Sequence, residues 1–294
     1  MNGNAFKLKK GTLVGLLFPG TLVYAFFVLV PLLVALRYSL YNWSGGPRMT
    51  FIGLANYLTL MRDADFWNAF KNNVVLIVMC VVFQLGISFI LALVLSSNLV
   101  RFANAFRMAI FLPVVVSPVV VGILWQLIYS NDHGILNWAL RALGMGALVR
   151  PWLDDPSIVM YSVSVAIVWQ YLGIYLMIFM AGMQGIPADV YESALMDGAS
   201  GVRKTFSITI PLMSDTFKVA VMLSIAGNMK IFDHIYVMTG GGPGKSSMVM
   251  AMYAYNSSFR MFRFGYANAM SIGMLILSLA IILLSRRLMA SDSR

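Results

Sequence analysis

The sequence predicts an all-α membrane protein with six transmembrane helices, and three observations carry that prediction. Of 294 residues, 60% are hydrophobic and 11% charged, with a mean hydropathy of +0.81. A soluble domain keeps about a quarter of its residues charged. Six apolar runs reach the roughly 20 residues needed to cross a hydrocarbon core about 30 Å thick. Basic residues sit at the ends of those runs rather than in a patch: Lys7, Lys9 and Lys10 before the first, Arg101 and Arg107 around a short polar gap, Arg286 and Arg287 after the last. The net charge of +10 therefore orients helices and does not mark a nucleic-acid partner, for which no reading motif is present. Disorder is excluded by the hydrophobicity, and a disulfide scaffold by the presence of a single cysteine, Cys80, inside an apolar run.

The spans are expected at 12–40, 70–97, 107–129, 157–183, 216–238 and 264–285, within one transmembrane domain covering 1–294. The first is too long for a signal peptide and has no small-residue cleavage site; Pro19 and Pro31 are candidate kinks within it. An even number of spans puts both termini on one side. The positive-inside rule places that side in the cytoplasm, because Lys7, Lys9, Lys10, Arg101, Arg107, Arg203, Lys204, Arg286, Arg287 and Arg294 lie close to span ends in short segments. The outer segments 41–69, 130–156 and 239–263 are rich in Gly, Pro, Asn, Asp and Trp and read as structured turns.

One inner loop, 184–215, holds Asp189, Glu192, Asp197 and Asp215, four of the eleven acidic residues. Pro187 suits a first helical turn, and Ile186, Val190 and Ala194 follow at i+4 spacing with Tyr191 and Leu195 alongside. This predicts a short amphipathic helix that stops near Gly198–Gly201, followed by a second helix over Val202–Ile210 ended by Pro211. Periodicity alone fits a helix lying on lipid headgroups as well as one docking on a protein.

The spelling of this loop narrows the choice. Glu192-Ser193-Ala194-Leu195-Met196-Asp197-Gly198-Ala199, followed after eight residues by Ile208-Thr209-Ile210-Pro211, resembles the cytoplasmic signature of binding-protein-dependent ABC transporter permeases. Ser193 and Ile210 depart from the usual Ala and Leu. The resemblance implies a type I importer permease fold whose coupling helix docks on an ATP-hydrolysing subunit, with Glu192, Ser193, Ala194, Asp197, Gly198 and Pro211 forming the coupling site. Phe232-Asp233-His234-Ile235-Tyr236-Val237-Met238-Thr239-Gly240-Gly241-Gly242-Pro243, with Phe264-Gly265-Tyr266-Ala267, Pro19-Gly20 and Asn56-Tyr57, is similar to carbohydrate permeases of the maltose and glycerol-phosphate type.

The same resemblance implies the partners: a second, non-identical permease, two ATP-binding subunits, an extracytoplasmic solute-binding protein and a sugar, in a bacterial inner membrane. It implies no cofactor here, ATP and Mg being held by the ATPases. Gly244-Lys245-Ser246 mimics the end of a phosphate-binding loop, but Thr239 stands where that motif needs Gly, and Pro243 removes an amide. The chain is therefore expected to be a permease and not an enzyme.

Sugars need amides, carboxylates and hydroxyls for their hydroxyl groups and aromatic rings for their apolar faces. Two spans offer such groups: Trp169, Gln170, Tyr171 and Gly173 in the fourth, and Asn228, Lys230, Phe232, Asp233 and His234 in the fifth. Polar groups inside a bilayer are costly and face a cavity or a partner. The substrate candidates are Asn228, Trp169, Gln170, Tyr171, Gly173, Phe232 and Asp233, Asn228 aligning with a sugar contact of the maltose-type permeases. The competing readings are packing for Trp169 and Tyr171, an ion pair between Lys230 and Asp233, and an outer-interface position for His234. At the level of function, the rival is an ion-coupled secondary transporter using Lys230, Asp233 and His234, disfavoured by the absence of visible inverted repeats. A non-transporting scaffold would explain neither the loop nor the polar groups.

Overall fold

The computed structural model describes residues 10–96 and 100–291. Lys7, Lys9, Arg294 and the last residue of the expected second span, Ser97, lie outside them. Within the described residues the chain is almost wholly helical, with one two-stranded hairpin. Four helices are long and apolar enough to cross a bilayer: α1 (Val14–Tyr38), α3 (Ala64–Ser96), α7 (Val159–Gln184) and α13 (Phe264–Ser291). Two bent pairs bring the total to six if each pair is one crossing: α4 (Ala103–Val115) with α5 (Pro118–Tyr129), and α9 (Gly201–Leu212) with α10 (Ser214–Met229).

The chain divides into two compact units. The first runs up to Arg62 and includes Ala254–Gly273. α1 passes through Pro19 and Pro31 without breaking; a π turn over Ala25–Leu29 precedes Pro31, which then falls in a first turn where its missing N–H leaves no orphan. After α1 come β1 (Tyr41–Trp43) and β2 (Met49–Phe51), antiparallel with Asn42 opposite Thr50, and α2 (Ala55–Arg62). The Asn56-Tyr57 pair locks this hairpin. Asn56 Nδ2 donates to the carbonyls of Ser39 (2.7 Å) and Tyr41 (3.0 Å), and the Tyr57 and Ser39 hydroxyls meet at 2.7 Å. Trp43 packs on Phe264 with ring centroids 5.3 Å apart. Gly265 lies against the Tyr41 carbonyl so closely that no Cβ fits there.

The second unit comprises Asp63–Tyr253 and the chain from Met274. α7 is its axis: 61% of its apolar window is buried, and it packs on α3, α4, α5 and α10. Phe89 of α3, Phe179 of α7 and Phe217 of α10 form a triangle of rings with centroids 4.8–5.5 Å apart, edge-on or tilted as their quadrupoles favour. α3 begins six residues ahead of the expected 70, because Asp63 caps it by accepting from the N–H groups of Asp65 (2.9 Å) and Phe66 (3.3 Å). Its first turns then carry a polar column. Asn68 and Asn72 donate to the carbonyls of Lys245 (2.9 Å) and Met248 (2.8 Å), and Asp65 pairs with Lys245 at 2.5 Å. The lysine of the false phosphate loop is thus engaged in an ion pair.

Two spans depart from the single helices expected. The third, expected over 107–129, bends by 101° at Val116–Ser117, because Pro118 has no N–H with which to continue the ladder and opens a new helix at its first position. The fifth, expected over 216–238, ends as a helix at Met229 and resumes as α11 (Asp233–Met238). α9 also runs past Pro211, the expected stop, to Leu212: a π turn over Thr205–Thr209 lets Pro211 sit in a fresh first turn, and the 71° bend falls at Met213.

Asn73 holds the interruption in the fifth span. Wholly buried, it donates to the Asn228 (2.8 Å) and Met229 (3.4 Å) carbonyls at the end of α10 and accepts from the Met250 N–H (2.9 Å). Asn73→Leu leaves these groups unpaired in an apolar interior, each costing about 1–3 kcal/mol. The variant is expected to melt well below wild type in detergent, while Asn68→Leu, on an exposed bond, shifts little. Equal melting of the two would contradict this account.

Candidate functional site

A cavity of about 360 Å³ opens where α10 stops. It is lined by Gln84 of α3, by Ile167, Tyr171, Ile174 and Tyr175 of α7, and by Gly227, Asn228, Lys230, Ile231, Phe232 and Asp233 around the interruption. Because Lys230–Phe232 leave the helical ladder, one short stretch presents a cation, an aromatic ring and a carboxylate together. Lys230 and Asp233 are exposed to the cavity and form no ion pair with each other, so the pairing reading fails. Phe232 stacks on Tyr236 at 5.2 Å.

Of the seven substrate candidates, this cavity gathers Asn228, Tyr171, Phe232 and Asp233. Asn228 reaches it with its amide already engaged: Nδ2 donates to the Ser224 carbonyl (2.8 Å) and Oδ1 lies 3.5 Å from Cys80 Sγ. Trp169, Gln170 and Gly173 lie outside its wall. Trp169 sits edge-on to Trp125 at 5.9 Å. A Cβ on Gly173 would come within 2.7 Å of the α4 backbone at Ile110 and Phe111, so this glycine lets two helices approach. Gln84 and Tyr175 belong to the wall and escaped sequence reasoning. An amide in the middle of an apolar span was the available signal for Gln84; it closes a π turn, Cys80–Gln84.

Gln170 is fully buried and both ends of its amide are used. Nε2 donates to the Val116 carbonyl at 2.8 Å, in the bend between α4 and α5, and Oε1 meets His234 Nε2 at 2.5 Å. His234 is itself fully buried, so it packs inside the protein and faces neither lipid nor water. One side chain therefore bridges the interruptions of the third and fifth spans. Gln126 of α5 does similar work, donating to the Val237 (2.8 Å) and Met238 (3.2 Å) carbonyls at the end of α11.

At the other end of the unit lies α8 (Ala188–Met196), with Pro187 at its N-cap. Ile186, Val190 and Ala194 face inward as expected. Leu195 does not join them: it is 56% exposed and Met196 89% exposed, beside the exposed Glu192, Ser193 and Asp197. The helix ends in a Schellman turn. The Ala199 N–H bonds to the Ala194 carbonyl (2.8 Å) and the Gly198 N–H to the Leu195 carbonyl (3.0 Å), with Gly198 at φ +75°. Nothing lies within 4 Å of a Cβ placed on Gly198, so glycine is required here by backbone conformation alone. The result is a capped helix presenting two apolar side chains, Leu195 and Met196, and three acidic ones, Asp189, Glu192 and Asp197, outward.

Residues 84–291 match the family described as the inner membrane component of binding-protein-dependent transport systems. The chain belongs to that family and is the permease subunit of an ABC transporter in the inner membrane. It is 40% identical over 268 residues to the probable ABC transporter permease protein YurN of Bacillus subtilis (strain 168), covering 90% of this chain and 92% of that protein. It is 33% identical over 256 residues to the lactose transport system permease protein LacF of Rhizobium radiobacter, covering 86% and 85%. Its fold matches a chain of a bacterial ABC transporter involved in alginate import, with a TM-score of 0.81 at 22% identity, covering 97% of this chain and 96% of that one. Family membership removes the secondary-transporter and scaffold readings.

Two substitutions test the geometry. Gln170→Leu strands the Val116 carbonyl and His234 and is expected to lower unfolding stability by about 2 kcal/mol or more; a residue engaged only with substrate would leave the unliganded protein's stability untouched. Gly198→Ala forces a left-handed alanine at a cost of about 1–2 kcal/mol, so hydrogen exchange at the Ala199 amide should quicken roughly five- to thirty-fold.

Proposed function

We propose that this chain is the permease of a carbohydrate importer, taking a sugar from an extracytoplasmic binding protein and passing it through the 360 Å³ cavity by alternating access. The cavity carries the proposal: Tyr171, Tyr175 and Phe232 supply ring faces, while Asn228, Gln84, Lys230 and Asp233 supply hydrogen-bonding groups, the mixture that sugar hydroxyls and apolar faces need. Relatives named for lactose, for trehalose and maltose, and for diacetylchitobiose support the substrate class. A structure similar in fold is of an alginate transporter in complex with a saccharide-bound periplasmic protein, which supports a binding-protein partner.

In this reading both termini are cytoplasmic, and α8 seats in a groove of one of two ATPase subunits, which hold ATP and Mg; this chain holds no cofactor. A second, non-identical permease completes the pathway. Leu195 and Met196 fill an apolar socket while Glu192 and Asp197 meet cations at its rim. Ser193 faces the same subunit, Ala194 anchors the helix to the permease and Gly198 turns the chain into α9. Pro211, in the last turn of α9 before the 71° bend, keeps that helix rigid up to the joint with α10. Motion of the ATPases then reaches the cavity as rigid-body movement of α8 to α10.

The test is uptake of labelled sugars by the reconstituted assembly, with ATP hydrolysis measured in parallel. Tyr171→Ala removes a stacking face and is expected to raise KM for sugar by roughly fivefold with hydrolysis still coupled. Glu192→Ala should leave sugar binding intact and abolish stimulation of hydrolysis by the loaded binding protein. If hydrolysis stays fully stimulated in that variant, the coupling role of α8 fails.

A further inference from the structure

A second cavity, of about 1270 Å³, lies beside α8, away from the sugar cavity. Its wall is apolar and aromatic along α3 and α10, with Phe89, Ile90, Leu93 and Phe217; Phe206 and Val202 of α9, both exposed, flank it. Two cations line it, Arg107 and Lys204, and no carboxylate does. Among the described residues neither cation has an acidic partner. Arg107 donates through Nη1 to Asn104 Oδ1 (3.1 Å) and through Nη2 to the Leu95 carbonyl (2.8 Å), while its Nε is buried and makes no hydrogen bond. The Lys204 ammonium rests over the Tyr191 ring, 5.1 Å from its centroid.

A guanidinium and an ammonium lining one largely apolar cavity, without a carboxylate partner among the described residues, match the chemistry of a lipid phosphate. We propose that this cavity binds one anionic glycerophospholipid. Its phosphate sits between Arg107 and Lys204, and one acyl chain lies along Phe89, Ile90, Leu93 and Phe217. Three observations separate this from a free anion or a protein segment. The volume exceeds what a phosphate needs, the rest of the wall is mostly hydrocarbon-like, and both cations stand near span ends in segments that the positive-inside rule puts at the cytoplasmic, anionic leaflet. Because Tyr191 and Lys204 belong to α8 and α9, the lipid ties the coupling elements to α3. The inference rests on the inward orientation of α8 proposed above, but its test reads lipid and not sugar.

The assembled transporter is purified in detergent, incubated with an equal mixture of phosphatidylcholine and phosphatidylglycerol carrying a photoreactive group on the acyl chain, illuminated, and mapped by peptide mass. Wild type is expected to retain phosphatidylglycerol over phosphatidylcholine and to label peptides containing Phe89–Leu93 or Phe217. Arg107→Gln and Lys204→Gln should each lower that retention about fivefold, Arg286→Gln not at all. Leu93→Trp, which leaves both cations in place, should expel the acyl chain and the label with it. Equal retention of the two lipids, label elsewhere, or displacement by inorganic phosphate would overturn the proposal. So would protection of this wall by a partner subunit, seen as no label in the assembly. Because the wild-type label alone decides its location, the result stands even where a variant fails to fold, and it is independent of whether the cargo proves to be a sugar.

Discussion

At Val116 in the third span and after Met229 in the fifth, where the chain leaves the helical ladder, a side-chain amide closes the gap. A backbone carbonyl set free in hydrocarbon has no water to turn to, and leaving it unpaired costs several kcal/mol. The third span opens at Val116 and Gln170 donates to it; the fifth opens after Met229 and Asn73 donates to the last two carbonyls of α10; α11 ends at Met238 and Gln126 donates there. Three amides on three different helices thus permit two interruptions. Without them the spans would have to be continuous, and a continuous fifth span would leave Lys230, Phe232 and Asp233 distributed round a helix instead of gathered on one wall.

This dependence orders the second unit. α7 is its most buried helix because it meets α3, α4, α5 and α10 together. It places Gln170 where two breaks come within reach of one amide, and Tyr171 and Tyr175 at the cavity one side chain away. The Phe89, Phe179 and Phe217 triangle fixes α3 and α10 against it nearer α8. In lipid, apolar burial supplies no hydrophobic drive, so such contacts stabilise through dispersion and fit. That makes the breaks more sensitive to a lost hydrogen bond than to a lost methyl group.

Much of this was legible in the sequence, and the illegible part has a physical reason. Hydropathy reports the length and placement of apolar runs, which is why the fourth span was anticipated to within about two residues. It is blind to a bend, since Ser117 and Pro118 are too few to interrupt the apolar average over a whole run; only Pro118 hinted at the break. The cap of α8 was visible because Gly198 has a conformational task that the pattern announces, whereas the exposure of Leu195 was not, since i+4 spacing cannot say how wide the buried stripe is. Mid-membrane polarity correctly singled out residues with a task. It could not distinguish Gln170, which satisfies the backbone, from Tyr171 next to it, which faces the cavity: both tasks require a polar group in an apolar span, and only the direction of the side chain separates them.

The 71° bend and the end of α10 also bear on how the movement of α8 proposed above would reach the cavity. α9 and α10 meet at a 71° bend with Met213 fully buried at the joint, so a displacement of α8 and α9 acts on α10 as a lever about a packed point. The far end of that lever is Asn228–Met229, where Asn73 holds it to α3 by hydrogen bonds with two alternative carbonyls, at 2.8 and 3.4 Å. A donor already shared between neighbouring carbonyls can change its preference without ever leaving one unpaired. The end of α10, next to Lys230 and Phe232, is therefore tied to α3 by a donor that reaches two neighbouring carbonyls, while Oδ1 of the same Asn73 side chain accepts from the Met250 N–H.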